Sequence, residues 1–479
     1  MKPLSPVDQL FLFIERRQQP MHVAGLQLFS FPEGAPDDYV RSVAEHMRDF
    51  DEPESPFDRH LVTRLGLRCW DEDHQFDLDH HFRYEALPQP GRIRELLALV
   101  SAEHSNLLHR DRPMWEAHLI EGISQRRFAL YSKVHHAVMD GMTAMRMAIQ
   151  ALSTDPSERD IPPFWAVPRA RRAKDSQYEA RATAMERLVA VLGKQVGTVP
   201  ALARELRKLL DRSHRRADHV SIFQAPSCPL NERITGSRRF AAQSYSLPRM
   251  KALAKAFDAT LNDAVLAVCS GALRRYLSRM DALPDMPLVA LVPVSLRKDD
   301  GRDGAEAGNQ IAMILANLAT HLADPGERFR VIKASLSEGK QRHAQMSPEE
   351  SLNFAALMLA PTFLNMVTGL APQLHAFNVV ISNVPGPKQP LYWNGARMVG
   401  IYPVSVVIDR MALNITLTSY VDSLEFGIIG CRRTLPSMQR LLDHLERSIA
   451  ELESVAGLPE WQNDGFGSES RVMNLPPPR

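Results

Sequence analysis

The run from Val134 to Gly141, Val-His-His-Ala-Val-Met-Asp-Gly, constrains this chain more than any other stretch. Residues Arg127–Val134 before it are rich in β-forming side chains, and Met142–Ile149 after it has the composition of a helix. We therefore predict a strand that ends at two histidines and is followed at once by a helix. Such a junction holds a side chain rigidly while leaving it open to a cleft.

Several residues of this run suit a catalytic site. His136 is the candidate general base, because an imidazole with a pKa near ~6.5 accepts a proton at neutral pH and returns it within one turnover. His135 is expected to support its neighbour. Asp140 either orients the imidazole or forms a buried ion pair, of which we favour the ion pair, and Gly141 is expected to allow a tight turn with positive φ. The pair His80–His81 lacks a following Asp-Gly and is expected to be structural.

Length and composition fit a large globular protein. At 479 residues the chain is long for one hydrophobic core, so two domains are expected. The net charge of +1 argues against nucleic acid as a partner. Four dispersed cysteines without metal-ligand spacing predict reduced thiols in a cytoplasm and no metal. The sequence has no Gly-rich phosphate loop, so no nucleotide cofactor is expected. The N-terminus lacks the apolar core of a signal peptide, and the apolar stretch Leu352–Pro372 is broken by polar residues, so no transmembrane span is predicted.

The pattern along the chain predicts a mixed α/β fold. In the second half, Leu288–Val294 is suited to a buried strand and Leu413–Gly430 to a hairpin. Prolines and then basic helix formers separate that half from the first. The predicted segments are an N-terminal domain (1–155), a proline-rich and basic helical connection (156–235), a C-terminal domain (236–460) and a polar tail expected to be disordered (461–479).

The spacing His-His-x-x-x-Asp-Gly resembles the signature of CoA-dependent acyltransferases and peptide-synthetase condensation domains. Further segments, up to about residue 435, resemble a narrower family, the bacterial bifunctional wax ester synthase/diacylglycerol acyltransferases. Met114 stands where that family has Leu, a volume-conserving change. The segments that carry the narrower resemblance are Leu4–Asp8, Met21–Gly25, Arg112–Glu116, Leu261–Ala267, Val292–Arg297, Gly308–Gln310, Ser382–Pro387 and Ala412–Thr416.

The resemblance implies a fold and an activity. The fold is two chloramphenicol-acetyltransferase-like α/β domains whose interface forms a tunnel, entered by the acyl thioester from one face and by the acceptor alcohol from the other. The activity is transfer of a long-chain acyl group from acyl-CoA to a fatty alcohol or a diacylglycerol. His136 would act as general base in a ternary complex, without a covalent enzyme intermediate, a metal or a further cofactor.

The resemblance also implies roles for residues outside the run. Asn262, with Asp263 beside it, is the candidate oxyanion donor, and helix capping is its alternative because Thr260–Asp263 looks like a helix start. Arg297 is the candidate ion-pair partner of Asp140, by analogy with the wider class. The candidates for lining the tunnel are Trp115, Met358, Phe363, Asn383, Pro385 and Gly386. For Trp115 and for the stretch that holds Met358, packing in the core is the alternative.

Two alternatives stay open at this point. One is a condensation or polyketide-associated acyltransferase that takes its acyl group from a carrier protein, which a docking surface would distinguish. The other is a non-catalytic lipid-binding or droplet-coating protein, against which the intact His136, Asp140 and Gly141 argue. The expected partners are acyl-CoA and the acceptor lipid, with a membrane or lipid inclusion as a peripheral surface. We interpret the basic connection as solvated helices, with attraction to CoA phosphates or anionic lipid as the alternative.

Overall fold

The computed structural model describes residues 2–168, 224–296, 310–346, 350, 354, 358 and 375–459. Most of the predicted connection, the tail 461–479 and most of the apolar stretch Leu352–Pro372 lie outside the described residues. Two six-stranded sheets dominate the described part, and a small three-stranded sheet accompanies them. The mixed α/β class is therefore confirmed.

The first large sheet is built mainly from the N-terminal third of the chain. One face packs on α2 (Tyr39–Arg48) and α4 (Gly141–Gln150), and the other on α3 (Ile93–Glu103). Its strands, in the order in which they pair, are β12 (Tyr392–Trp393), β13 (Ala396–Val404), β2 (His22–Ser30), β7 (Arg127–His135), β6 (Trp115–Ile123) and β5 (Phe82–Ala86).

The second large sheet lies in the C-terminal half. It packs on α5 (Leu247–Ala256), α6 (Leu261–Ser278), α7 (Pro325–Gln345) and α8 (Arg440–Val455). The predicted buried strand and hairpin are confirmed as β9 and as β14 with β15. The strands, in order, are β10 (Gln310–Asn317), β9 (Val289–Leu296), β11 (Val379–Val384), β14 (Leu413–Tyr420), β15 (Ser423–Cys431) and β8 (Arg238–Ser246).

One strand of the second half crosses into the first sheet. β13 pairs antiparallel with β2, so that Val404 lies opposite Ala24. The segment 392–404, which lies within the predicted C-terminal domain 236–460, therefore extends the first sheet. The two sheets also touch directly. A Cβ added at Gly427 on β15 would lie 1.8 Å from the carbonyl oxygen of Pro403 on β13, so this contact requires glycine.

The small sheet pairs β1 (Lys2–Pro3) with β4 (Leu67–Glu72) and β4 with β3 (Arg59–Arg64). It leads into α1 (Pro6–Ile14), which begins with a capping box between Ser5 and Asp8. One buried cluster joins α1, this sheet and the loop after β7, and its core members are Leu4, Leu12, Trp70, Leu108, Met114 and Ala137.

Among the described helices, none alone is long and apolar enough to cross a membrane. The pair α5 and α6 reaches the required length and composition only together, with a 96° bend between them. Most of α6 is buried in the core of the second sheet, as expected of a helix inside a globular fold.

Candidate active site

The loop between β7 and α4 holds the His-His-x-x-x-Asp-Gly run. β7 ends at His135 and α4 begins at Gly141, close to the predicted boundaries. The backbone N–H of His135 donates to the carbonyl of Met114 on one side, at 2.9 Å, and that of His136 donates to the carbonyl of Met21 on the other, at 2.8 Å. The start of the loop is therefore fixed by both neighbouring chain segments.

His135 is fully buried, and both of its ring nitrogens have partners. The backbone N–H of Ala137 donates to Nδ1 at 3.0 Å. Since a backbone N–H only donates, Nδ1 carries no hydrogen and Nε2 is the protonated nitrogen. Nε2 lies 3.2 Å from Oε1 of Glu15, an ion-pair distance rather than an ideally aligned hydrogen bond. His135 therefore connects the backbone of the loop to Glu15.

Glu15 is the site residue that the sequence did not reveal. It directly follows α1, and its side chain is only 2% exposed. Its carboxylate also accepts from the backbone N–H of Met21 and from the guanidinium of Arg110, whose Nη2 lies 2.8 Å away. Burial alone would raise the pKa of Glu15, but His135, Met21 and Arg110 outweigh it and lower the pKa to about 2. Glu15 is thus a carboxylate that connects α1 to the loop between β7 and α4.

The ring of His136 lies against α1. It stacks on Phe11 with a centroid distance of 4.2 Å and an interplanar angle of 27°. The residue as a whole is half-buried, while its Nδ1 atom is buried. The imidazole is therefore held in one orientation by an aromatic neighbour without being sealed in the hydrocarbon core.

Asp140 caps the helix that follows the loop, and Gly141 differs from expectation. Asp140 is half-buried and caps α4, because its Oδ1 accepts from the backbone N–H of Thr143 at 2.8 Å. Its proposed partner Arg297 lies outside the described residues. Gly141 is the first residue of α4 and does not have positive φ. A Cβ there would lie 3.6 Å from Val23, an ordinary contact, so the turn prediction for Gly141 was wrong.

Asn262 and Asn383 meet in the second half of the chain. Nδ2 of Asn383 donates to Oδ1 of Asn262 at 2.9 Å, which turns the amide nitrogen of Asn262 away from this contact. The cap of α6 is made by Thr260 with Asp263 rather than by Asn262. Asp263 is therefore a capping residue, and the capping explanation for Asn262 is wrong. Asn383 lies inside β11 and not in the turn after it.

The other tunnel candidates are mostly structural. Trp115 is 1% exposed, stacks on Trp165 at 5.2 Å and donates from Nε1 to the carbonyl of Phe57, so it belongs to the core. Met358 is likewise 1% exposed in a buried cluster. Gly386 contacts β14 too closely for any side chain, Pro385 is exposed, and Phe363 lies outside the described residues.

A buried ionic network lies between β6, β7 and α3. Ligand atoms of Glu103, Glu116 and His118 lie within 4.8 Å of one another, a spacing that suits a metal ion. Nζ of Lys133, however, lies 2.8 Å from Oε2 of Glu116 and supplies the positive charge there. Burial would raise the pKa of Glu116, but His118 and Lys133 outweigh it and lower the pKa to about 2. We interpret the network as a compensated set of charges.

The two-sheet architecture is found in solved condensation domains. The first condensation domain of the CDA synthetase matches with a TM-score of 0.54 at 16% identity, over 95% of this chain and 96% of that one. At this identity the likeness shows the fold alone. The described part of this chain therefore has the condensation-domain fold, and the His-His-x-x-x-Asp-Gly run lies at the end of its strand β7.

Closer comparisons give the family. The model of the wax ester synthase/diacylglycerol acyltransferase catalytic domain matches residues 4–265, and that of the WS/DGAT C-terminal domain matches residues 307–453. The O-acyltransferase WSD of Acinetobacter baylyi is 48% identical over 462 residues, 96% of this chain and 99% of that protein. The wax ester synthase/diacylglycerol acyltransferase from Marinobacter aquaeolei VT8 is 52% identical, with a TM-score of 0.79 over 96% of this chain and 100% of that one. The chain belongs to the wax ester synthase/diacylglycerol acyltransferase family, and it is an acyltransferase, as its motifs predicted.

Proposed function

We propose that this protein transfers a long-chain acyl group from acyl-CoA to the hydroxyl of a fatty alcohol or a diacylglycerol, with His136 as the general base. The observation that carries the assignment of the base is the division of roles within the histidine pair. Both ring nitrogens of His135 are committed, to Ala137 and to Glu15. The proton transfer therefore falls to His136, which lies half-buried at the start of the loop.

The reaction needs one proton carrier and no covalent enzyme intermediate. His136 removes the proton from the acceptor hydroxyl while that oxygen attacks the thioester carbonyl. As the carbon–sulfur bond breaks, the imidazolium returns the proton to the CoA thiolate. Because Nδ1 is buried, we assign the proton transfer to Nε2. Stacking on Phe11 keeps the ring in the orientation that proximity catalysis requires.

The carbonyl oxygen becomes negative during the attack and needs a hydrogen-bond donor. Asn262 is the proposed donor, because Asn383 binds its amide oxygen and so directs its amide nitrogen away from that contact. One such donor typically contributes about 3 kcal/mol to the transition state. The tunnel between the sheets, the cytoplasmic location and the peripheral contact with a lipid surface belong to the same proposal. No metal ion and no further cofactor takes part in it.

The decisive assay is release of free thiol from palmitoyl-CoA, with either hexadecanol or a diacylglycerol as acceptor. His136→Ala should lower turnover by about a hundred- to ten-thousand-fold, the usual contribution of a general base, with an unchanged melting temperature. His80→Ala removes an exposed histidine and is the matched control. Substantial turnover in His136→Ala would contradict the assignment.

Two further outcomes of this assay would redirect the function. Thiol release without an acceptor would indicate a thioesterase. Turnover with an acylated carrier protein but not with palmitoyl-CoA would favour the condensation-type alternative.

A further inference from the structure

The hairpin of β3 and β4 ends in two exposed leucines. A two-residue turn, Leu65–Gly66, joins the strands with φ values of +50° and +78°. Leu65 is fully exposed, and Leu67 is 68% exposed. Single exposed leucines are common on protein surfaces, but two at one hairpin tip form a small apolar projection.

The turn geometry makes Leu65 more unusual. A two-residue hairpin with positive φ at both positions favours Asn, Asp or Gly at the first of them, because a Cβ is crowded there. Leucine therefore costs conformational energy at this position. Its full exposure shows that it gains no packing in return. A side chain that strains the backbone and packs against nothing in the fold points to a role outside the fold.

Charge supplies the second observation. Arg64 and Arg68 flank the leucines, and both are exposed. In the part of the chain that the structure describes, neither arginine forms an ion pair. The acidic residues of the hairpin lie at its other end, where Glu72 is opposite Arg59. The tip is therefore apolar with a positive flank.

We propose that the β3–β4 tip docks on the surface of an anionic phospholipid bilayer. Leu65 and Leu67 enter the boundary between headgroups and acyl chains, and Arg64 and Arg68 bind lipid phosphates. Apolar insertion together with basic residues is the combination by which peripheral proteins bind such membranes.

The position of the hairpin relates this contact to the catalytic loop. The backbone N–H of Leu4 donates to the carbonyl of Arg68, and the chain then runs directly into α1. α1 carries Phe11, which stacks on His136, and is followed by Glu15. Docking by the tip would hold this side of the protein near the lipid bilayer, in which apolar acceptors dissolve. The proposal deepens the lipid-surface contact proposed above but does not depend on the catalytic role of His136.

Sedimentation of the full chain with vesicles tests the proposal. The vesicles are pure phosphatidylcholine or phosphatidylcholine with phosphatidylglycerol. Leu65→Asn combined with Leu67→Ser should lower partitioning onto the anionic vesicles at least about ten-fold. Arg64→Gln combined with Arg68→Gln should lower it about ten-fold and remove most of its salt dependence.

Matched controls separate the tip from general surface effects. Met286→Ser removes an apolar side chain that is 50% exposed elsewhere, and Arg41→Gln with Arg94→Gln removes two exposed arginines. Each control should bind as the wild type does. Leu65→Asn alone should keep or raise the melting temperature, because asparagine tolerates positive φ, so its lost binding would not reflect unfolding.

Three results would overturn the proposal. One is wild-type binding by the tip variants. Another is equal binding of the wild type to neutral and anionic vesicles. The third is self-association of the wild type without vesicles that the tip variants abolish, since the tip would then bind a second copy of the chain. His136→Ala should retain vesicle binding, so failure of the catalytic proposal and failure of this one are distinguishable.

Discussion

Replacing Glu15 with glutamine tests how α1 supports the catalytic loop. The substitution keeps the shape of the side chain and removes its charge. The neutral amide would lose the ion pair with Arg110 and the charge that faces Nε2 of His135. We therefore expect both a less stable protein and a loop that holds His136 less firmly.

The size of the stability effect follows from the pKa of Glu15. The carboxyl group titrates at about 2 in the folded protein, against 4.5 for the ordinary group. At about 1.4 kcal/mol per pKa unit, the folded state gains about 3 kcal/mol from the ionised form at neutral pH. No discount for solvent is needed, because the side chain is 2% exposed. Since the folded pKa is the lower one, this stabilisation is present above pH 4.5 and is lost as the pH falls towards 2.

Urea unfolding at two pH values measures the effect. At neutral pH, Glu15→Gln should unfold with a free energy about 3 kcal/mol below that of the wild type, and at about pH 3.5 the difference should shrink to roughly 2 kcal/mol. Glu45→Gln is the control, because Glu45 forms an exposed pair with Arg41 and should cost less than about 1 kcal/mol. If the difference in unfolding free energy between Glu15→Gln and the wild type stays constant or grows as the pH falls, the reasoning is refuted.

Four further substitutions test other parts of the site and fold. Asp140→Ala should cost about 1 kcal/mol in thermal unfolding, the usual loss of a helix cap, whereas a loss of about 3–5 kcal/mol would indicate the buried ion pair instead. Thr260→Ala should lower stability by about 1 kcal/mol and leave turnover unchanged. Asn262→Ala should lower turnover about a hundred-fold with little change in stability. If Asn262→Ala instead lowers stability and leaves turnover unchanged, Asn262 is not the oxyanion donor. Gly427→Ala should lower the melting temperature markedly, since its Cβ would overlap the carbonyl oxygen of Pro403, and an unchanged melting temperature would contradict the close contact of the sheets.

The sequence predicted the parts of the site that are local in the chain. The strand that ends at His135 and the helix that begins at Gly141 were predicted from the composition of short neighbouring segments, and both are present. Glu15 could not be found this way, because it lies far from His135 in the chain and meets it only through the packing of α1. Gly141 was misread because glycine suits both a left-handed turn and the first turn of a helix.

Contacts between distant segments escaped prediction for a related reason. The sequence of β13 does not indicate which strand it pairs with, and only the folded protein shows that its partner is β2. Trp115 fits a core or a tunnel wall equally well by residue type. Its neighbours decide for the core, since it stacks on Trp165 and donates to Phe57. Residue type therefore sets what a side chain is able to do, and tertiary contacts select among the choices.

The strand β13 also makes the catalytic loop depend on both halves of the chain. Its last residue, Val404, lies opposite Ala24 on β2, and two residues earlier on β2 His22 lies opposite His135. The chain that leaves β13 therefore emerges at the same edge of the sheet as the end of β7, with β2 between the two strands. There Val406 and Ile408 pack against the buried pair Ile14 and Met21, as does Phe11, whose ring stacks on His136. The small apolar core beside the proposed base thus includes residues of the C-terminal half, although His136 and Phe11 both come from the N-terminal third.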